Sequence, residues 1–370
     1  MARILYGVAG EGMGHAMRSR VVIEHLAERH DVQVVVSGRA HDYLKARERD
    51  HLGVNKIWGL SILYEDNAVQ SLRTALYNLT GAALGGWPRN VIAYFNLVEA
   101  FRPDVVISDF ESWSHLFAKT HGLPCFSVDN NQIVNRCRHP PEILAGARAE
   151  YFVARSVVKA KLPRCDAYLV STFFYPEVAK PRTTLVPPVL RPEILAARAE
   201  QGEHLLVYQT STSNAALPEI LRRSGRECRI YGLRRDLARD QREGNLLWRP
   251  FDEATFIEDL RTARAVVSGG SFTLMSEAVF LHKPMLSVPV RKQFEQILNA
   301  RWLQKLGYGR AADRITPRVL GEFLERLPDH ARALAPYRQD GNRALLGKLD
   351  AIVAAAVAGK PAAATEDPLA

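Results

Sequence analysis

Short β-branched runs alternate with helix-length amphipathic segments along most of this chain, and that alternation restricts it to parallel α/β structure. In the first half, strands are expected at Arg3 to Val8, Val32 to Ser37, Val105 to Ser108, Cys125 to Val128 and Ala167 to Ser171. Helices are expected at Ala16 to Arg29, Ser112 to His121 and Pro141 to Lys161. In the second half, strands are expected at His204 to Tyr208, Cys228 to Tyr231, Ala265 to Ser268 and Met285 to Val288. Helices there fit Ala215 to Ser224, Glu253 to Arg261, Thr273 to Phe280 and Glu295 to Leu306. Between the halves runs a proline-punctuated stretch, Lys180-Pro181 through Pro187-Pro188 to Pro192, which reads as a stiff interdomain linker. With 370 residues and roughly 100–200 residues per domain, two domains are expected. They are residues 1–188 and 189–358, the last helix of the second being a candidate to pack back on the first. The low-complexity tail, 359–370, is expected to be disordered. Two doubly wound sheets would then face each other, with ligands beyond the carboxyl ends of their strands.

Composition narrows the functional classes. The net charge of +9 suits phosphorylated substrates, an anionic membrane surface or nucleic acid. Nucleic acid is set aside, because the chain holds no helix-turn-helix, RNP-like or finger pattern and its arginines are spread throughout. No apolar run reaches the roughly 18–20 residues that span a bilayer. The N-terminus lacks a basic stretch followed by an apolar core, so no signal peptide is expected. Cys125, Cys137, Cys165 and Cys228 lie far apart without CxxC spacing and read as reduced thiols of a cytoplasmic protein.

The most informative segment runs from Val266 to Gly309. An apolar strand meets Ser268-Gly269-Gly270-Ser271, and a helix carrying Thr273 and Glu277 follows. Paired glycines at a strand end let a ligand approach the backbone, and the helix N-terminus offers N–H groups to an anion. A carboxylate within that helix, Glu277, suits a pair of ribose hydroxyls. A polar loop with Glu295 and Gln296 opens the next helix. Earlier, Thr210 and Ser211 follow a strand in a Ser/Thr/Asn-rich turn suited to a phosphate. Trp248-Arg249-Pro250-Phe251 offers aromatics either to clamp a flat base or to fill the core.

In the first half, Gly10-Glu11-Gly12-Met13-Gly14-His15 follows the first strand. Its glycine spacing is not the dinucleotide fingerprint, and Ser37-Gly38-Arg39 supplies no acidic residue after the second strand. The turn instead leaves space for a bulky substrate above the strand. His15, at the mouth of the first helix, is suited to take a proton from an attacking hydroxyl. Asp109 ends another strand at the same sheet edge. It can orient that imidazole, as in triad logic, or cap the helix that follows. Glu111, Asp129, Asn130 and Asn131 crowd the same edge, as acceptor contacts or ordinary loop polarity. No Asp-x-Asp motif or metal-ligand histidine spacing occurs, so neither a metal nor another cofactor is expected.

These motifs resemble the GT-B glycosyltransferases. The likeness is to the inverting branch that holds the muramoylpentapeptide N-acetylglucosaminyltransferase and the nucleoside-diphosphate glucosyl- and glucuronosyltransferases. A bacterial and archaeal group of glycosyltransferase-like proteins shares both the Gly-Glu-Gly-x-Gly-His loop and the Gly-Gly-x-x-Thr-x-x-Ser-Glu stretch. The resemblance covers about residues 2–310. It implies two Rossmann-like domains, the first for the acceptor and the second for a nucleotide sugar, most often carried by UDP. It implies His15 as base with Asp109 as its partner, and Glu277 on the donor ribose. Gly269, Gly270, Ser271 and Thr273 would meet the pyrophosphate, with Thr210 and Ser211 in the second phosphate loop. Phe251 would flank the base, and Glu295 and Gln296 would contact the sugar. The acceptor side would hold Glu11, Gly12, Gly14, Glu111, Asp129 and Asn130. The implied reaction is metal-independent single displacement onto a hydroxyl, with a lipid or cell-envelope glycan precursor as one acceptor class. Two alternatives within this build are a nucleotide-sugar 2-epimerase and a non-catalytic nucleotide-sugar-binding protein. The apolar, Arg- and aromatic-bearing stretch Ser71 to Phe101 reads either as helices closing the acceptor side or as a contact with the inner face of the cell membrane.

Overall fold

The computed structural model describes residues 1–10, 12–59, 64–65, 68–69, 87–209, 215–234 and 236–360. The first sheet contains β1 (Arg3–Val8), β2 (Asp31–Val36) and β3 (Leu52–Lys56). A short antiparallel pair, β4 (Tyr64–Glu65) and β5 (Ala68–Val69), stands apart. The first sheet continues with β6 (Val105–Asp109), β7 (Cys125–Asp129), β8 (Ala167–Ser171) and β9 (Thr183–Val186). Its order is β3-β2-β1-β6-β7-β8-β9, and every pairing is parallel.

The second sheet is built from β10 (Leu205–Tyr208), β11 (Cys228–Tyr231), β12 (Gln241–Glu243), β13 (Leu246–Arg249), β14 (Ala265–Ser268), β15 (Met285–Ser287) and β16 (Gly309–Ala311). Its order is β12-β13-β11-β10-β14-β15-β16, parallel except for β12 against β13. Both sheets are therefore doubly wound. Their strand order reverses between β1 and β6 in one and between β10 and β14 in the other. Those are the points where an open α/β sheet leaves a crevice at its carboxyl edge.

The sequence expectations need three corrections. The stretch from Lys180 to Pro192 is not linker throughout, because Thr183–Val186 forms β9 at the sheet edge. Three of its four residues are β-branched, and the prolines on either side are tolerated at an edge strand. The helix expected from Pro141 to Lys161 is two helices, Pro141–Leu144 and Arg148–Lys161. Gly146 between them has φ +67°, a left-handed conformation that ends a helix. Strands β3, β4, β5, β12, β13 and β16 were not anticipated either.

Aromatic packing joins the halves below the cleft. Phe174 stacks on Trp302 with centroids 5.0 Å apart, Phe173 lies parallel to Phe272 at 5.9 Å, and Tyr151 meets Phe294 at 5.2 Å. The last helix, Arg343–Val357, buries Leu345, Leu349, Ile352 and Val353 in the same core as β1, β2 and β6. Its Asp350 accepts from His25 Nε2 at 2.9 Å. All four cysteines are buried free thiols. The expected tail, except its first two residues, lies outside the described residues.

Candidate active site

His15 stands in the first turn of the helix Met13–Ala27, directly beyond β1. Asp109 is the last residue of β6, the strand beside β1. The switch point thus brings the two together across 94 residues of chain. His15 Nδ1 lies 2.9 Å from Asp109 Oδ1. Asp109 is fully buried, whereas the His15 side chain keeps 18% of its surface exposed. Arg18 Nη2, a donor only, lies 2.6 Å from the same Nδ1, so the ring's tautomer depends on which neighbour Nδ1 serves; the tautomer with Nδ1–H toward Asp109 leaves Nε2 as the lone-pair nitrogen. Asp109 is not a helix cap. Glu111 takes that position for the helix Ser112–Thr120, accepting from Trp113 N at 2.8 Å and Ser114 N at 2.6 Å.

The sequence reading missed Arg18, one helical turn after His15. Its Nε donates to Asp109 Oδ2 at 2.9 Å and its Nη2 to Oδ1 at 2.6 Å. Its Nη1 donates to Asn130 Oδ1. Ser19 Oγ adds a bond to Asp109 Oδ2 at 2.7 Å. The only early signal was the i, i+3 spacing from His15, which puts both side chains on one helix face. Burial drives the His15 pKa below its ordinary value and the adjacent Arg18 cation lowers it further, against the pull of Asp109. Burial would raise Asp109, but Arg18 and then His15 hold it well below the usual carboxylate range. Asp129 shows the opposite balance. Burial, with Asp109 nearby, pushes it up to about 6. Its oxygens accept from Ser127 Oγ at 2.6 Å and from Gln132 N at 2.8 Å. Glu111 and Asp129 are thus engaged internally, whereas Asn130 bridges the halves: its Nδ2 donates to Glu295 Oε1 at 2.8 Å.

On the opposite side, the loop after β14 leads into the helix Phe272–Phe280. Ser271, its N-cap, makes no capping bond with its side chain. Thr273 Oγ1 donates to Gly14 O at 3.3 Å. A Cβ on Gly14 would sit 2.8 Å from that hydroxyl, so Gly14 permits the two helix N-termini to meet. The other glycines correct the sequence argument. A Cβ on Gly270 would collide with the backbone and Cβ of Gln296, so Gly270 serves helix packing. Gly10 fits against the Ser37 backbone, Gly12 has open space around it, and Gly269 has only ordinary contacts. Gln296 Oε1 accepts from Gly270 N at 3.2 Å and Val290 N at 3.0 Å. Glu295 also accepts from Asn299 at 2.7 Å.

Glu277 is 2% exposed. Arg191, a second residue the sequence reading missed, grips it with Nε to Oε1 at 2.8 Å and Nη2 to Oε2 at 2.9 Å. Arg191 Nη1 also donates to Glu253 at 2.6 Å. Burial raises the Glu277 pKa, and Arg191 opposes the rise. The two aromatics after β12 separate cleanly. Trp248 is buried in the core, whereas Phe251 is 53% exposed. Phe251 rests on Phe256 at 5.6 Å, with Tyr208 and Tyr231 edge-on at 6.4 Å. Glu11, Thr210 and Ser211 lie outside the described residues. Among the described residues, no three His, Cys, Asp or Glu side chains gather as a group able to hold a metal ion.

Two doubly wound sheets whose switch points meet, Gly14 against Thr273 and Asn130 against Glu295, have the architecture of the GT-B glycosyltransferases. The chain belongs to glycosyl transferase family 1, whose model matches residues 2–328. It is 22% identical over 343 residues to an uncharacterized glycosyltransferase of Methanosarcina mazei, covering 85% of this chain and 86% of that one. Its fold is similar to that of CalG4, the calicheamicin glycosyltransferase, over 95% of this chain and 98% of the other, with TM-score 0.62 and 18% identity. It is also similar to a UDP-glucosyltransferase from Polygonum tinctorium capable of glucosylating indoxyl, over 94% of this chain and 98% of the other, with TM-score 0.62 and 14% identity.

Proposed function

We propose that this glycosyltransferase moves a sugar from a nucleoside-diphosphate sugar, with UDP as carrier, to a hydroxyl acceptor, with inversion and without a metal. The observation that carries the reading is the His15–Asp109 pair at one switch point, opposed to the N-terminus of the helix Phe272–Phe280 at the other. His15 Nε2 takes the acceptor proton while Asp109 holds the ring tautomer. The diphosphate sits at the 272–280 helix N-terminus, where backbone N–H groups and the helix dipole meet its charge, with Ser271 as a hydroxyl donor and Thr273 beside it. Phe251 gives the base a flat face, and Glu295 and Gln296 lie where the sugar would stand. Glu277, whose two oxygens Arg191 holds, is the carboxylate assigned to the ribose. The UDP-glucosyltransferase among the similar structures supports the choice of UDP.

A thermal-shift panel tests the donor. At about a hundred times its dissociation constant, UDP is expected to add roughly 2.7 kcal/mol of stability. If no nucleoside diphosphate or nucleotide sugar moves the melting temperature, the reading fails.

We also propose peripheral attachment to the inner face of the cell membrane. No helix among the described residues is long and apolar enough to cross a membrane. The helix Trp87–Asn96, however, exposes Val91, Ile92 and Phe95, and the helix Arg148–Lys161 exposes Phe152, Val153 and Val157. With a net charge of +9, such faces suit an anionic surface. The rest of the notional membrane segment, 71–86, lies outside the described residues. The protein is expected to float with anionic liposomes at low salt and to be released by high salt. Sedimentation away from the vesicles at low salt would rule attachment out.

A further inference from the structure

The amino edge of the first sheet, opposite the edge that carries His15 and Asp109, holds two thiols side by side. Cys125 opens β7, and Cys165 follows the turn that leads from the helix Arg148–Lys161 into β8. Their Sγ atoms lie 4.0 Å apart. The backbone of each is held in place. Cys125 O accepts from Asp166 N at 2.8 Å, and Cys125 N donates to Asp166 Oδ2 at 2.9 Å. Cys165 N donates to the Tyr168 hydroxyl at 2.9 Å, which donates in turn to Leu162 O at 2.8 Å. Cys125 therefore stands opposite Asp166 in the parallel ladder, one residue out of step with Cys165. A strand spacing of about 4.8 Å and a rise of about 3.3 Å put the two Cα atoms about 6 Å apart, which is the usual separation across a disulfide. Side-chain rotation is then enough to join the sulfurs without moving the sheet.

The second, independent observation is what surrounds the pair. Cys125 as donor, with His115 alongside, pulls the Cys165 thiol below its ordinary pKa against the effect of burial. The same contact and burial push Cys125 up. The other two thiols have no such neighbour, and burial raises Cys137 to about 12 and Cys228 to about 11. An easily ionised sulfur with a second thiol against it matches the division between an attacking and a resolving cysteine. Both sulfurs are buried, but their cover is thin. Pro163 and Arg164, directly before Cys165, are exposed, and Arg164 has a left-handed φ of +55°. His115 Nε2 donates to Pro163 O at 2.7 Å and pins this turn. Local opening of one short exposed turn admits a reagent as small as a peroxide.

We propose that Cys125 and Cys165 form a reversible disulfide within the folded protein when it meets a peroxide. The Cys165 thiolate attacks one peroxide oxygen, the O–O bond breaks, and the other oxygen leaves as hydroxide and is protonated to water. Cys165 is then a sulfenic acid. The Cys125 sulfur loses its proton and attacks Cys165 Sγ, the S–O bond breaks, and a second hydroxide leaves and becomes water. For hydrogen peroxide, two S–H bonds and one O–O bond are lost, and one S–S bond and two waters are made. The thiols give up two electrons and the peroxide gains them. A dithiol reductant reverses the bond by exchange. The link closes the segment that carries Asn130 and Tyr151, which meet Glu295 and Phe294 of the second half.

The test is a thiol count on the whole folded protein before and after hydrogen peroxide. Catalase stops the reaction, and alkylation in denaturant with peptide mass analysis follows. Of the four free cysteines, two are expected to be lost together, with a peptide pair joined through Cys125 and Cys165 and lighter by two hydrogens. Dithiothreitol should return all four. Cys125→Ser should leave Cys165 as a sulfenic acid that dimedone traps, and Cys137→Ser should leave the link unchanged. Four thiols surviving in the folded protein, a link that forms only once the chain is unfolded, or Cys165 oxidised without capture by Cys125 would overturn the proposal. The wild-type count decides the matter even where a serine variant fails to fold. None of it depends on the transfer reading, which the UDP thermal shift tests separately.

Discussion

Replacing His15 with alanine is expected to cut turnover by roughly 10²–10⁴-fold, the share of rate that a positioned general base supplies. UDP affinity should stay nearly unchanged, because the proposed role of His15 is on the acceptor, whereas the diphosphate is assigned to the N-terminus of the 272–280 helix. The measurement is UDP release from a UDP-hexose with an acceptor present, alongside UDP binding. The wild-type pH profile checks the same assignment. The working form is the neutral imidazole, and burial with Arg18 lowers its pKa. His15 therefore stays neutral to lower pH than a free histidine, and kcat/KM should fall only as pH drops below about 6.5. His15→Ala should lose that acid limb. A variant that keeps wild-type turnover would remove His15 from the role of base.

Arg191→Met should destabilise the fold by about 3–5 kcal/mol, the usual cost of removing one partner from a buried ion pair. Glu277 would remain as a buried carboxylate whose two oxygens had lost their guanidinium donors. Adding Glu277→Gln to Arg191→Met should recover much of the loss, because the stranded charge is then gone. Urea unfolding of the single and double variants measures both effects. An Arg191→Met protein with the wild-type midpoint would show that the pair carries no such energy.

Much of this organisation was readable from periodicity. The central strands β1, β6, β8, β10 and β14 each hold an unbroken apolar run of three or more residues, because both faces of a parallel sheet are covered. The outer strands were harder to find. Leu52–Lys56 carries Gly53, Asn55 and Lys56 and becomes a strand only because β2 offers it a ladder. Thr183–Val186 was hidden among prolines. At the site, a strand-end aspartate and a histidine after a glycine turn could be paired from topology alone. The glycines were read as ligand clearance, yet Gly270 and Gly14 are explained by contacts within the protein that no local pattern encodes. Arg18 and Arg191 were missed for a related reason. Arginine is abundant in this chain, and only tertiary structure distinguishes a buried guanidinium on Asp109 or Glu277 from a solvated one.

The most direct test is a crystal structure of the protein with bound UDP. The diphosphate is expected at the N-terminus of the 272–280 helix, beside Ser271 and Thr273, with the uracil against Phe251 and the ribose toward Glu277. Density for the nucleotide in the first half of the chain, or anywhere away from that helix, would contradict the account.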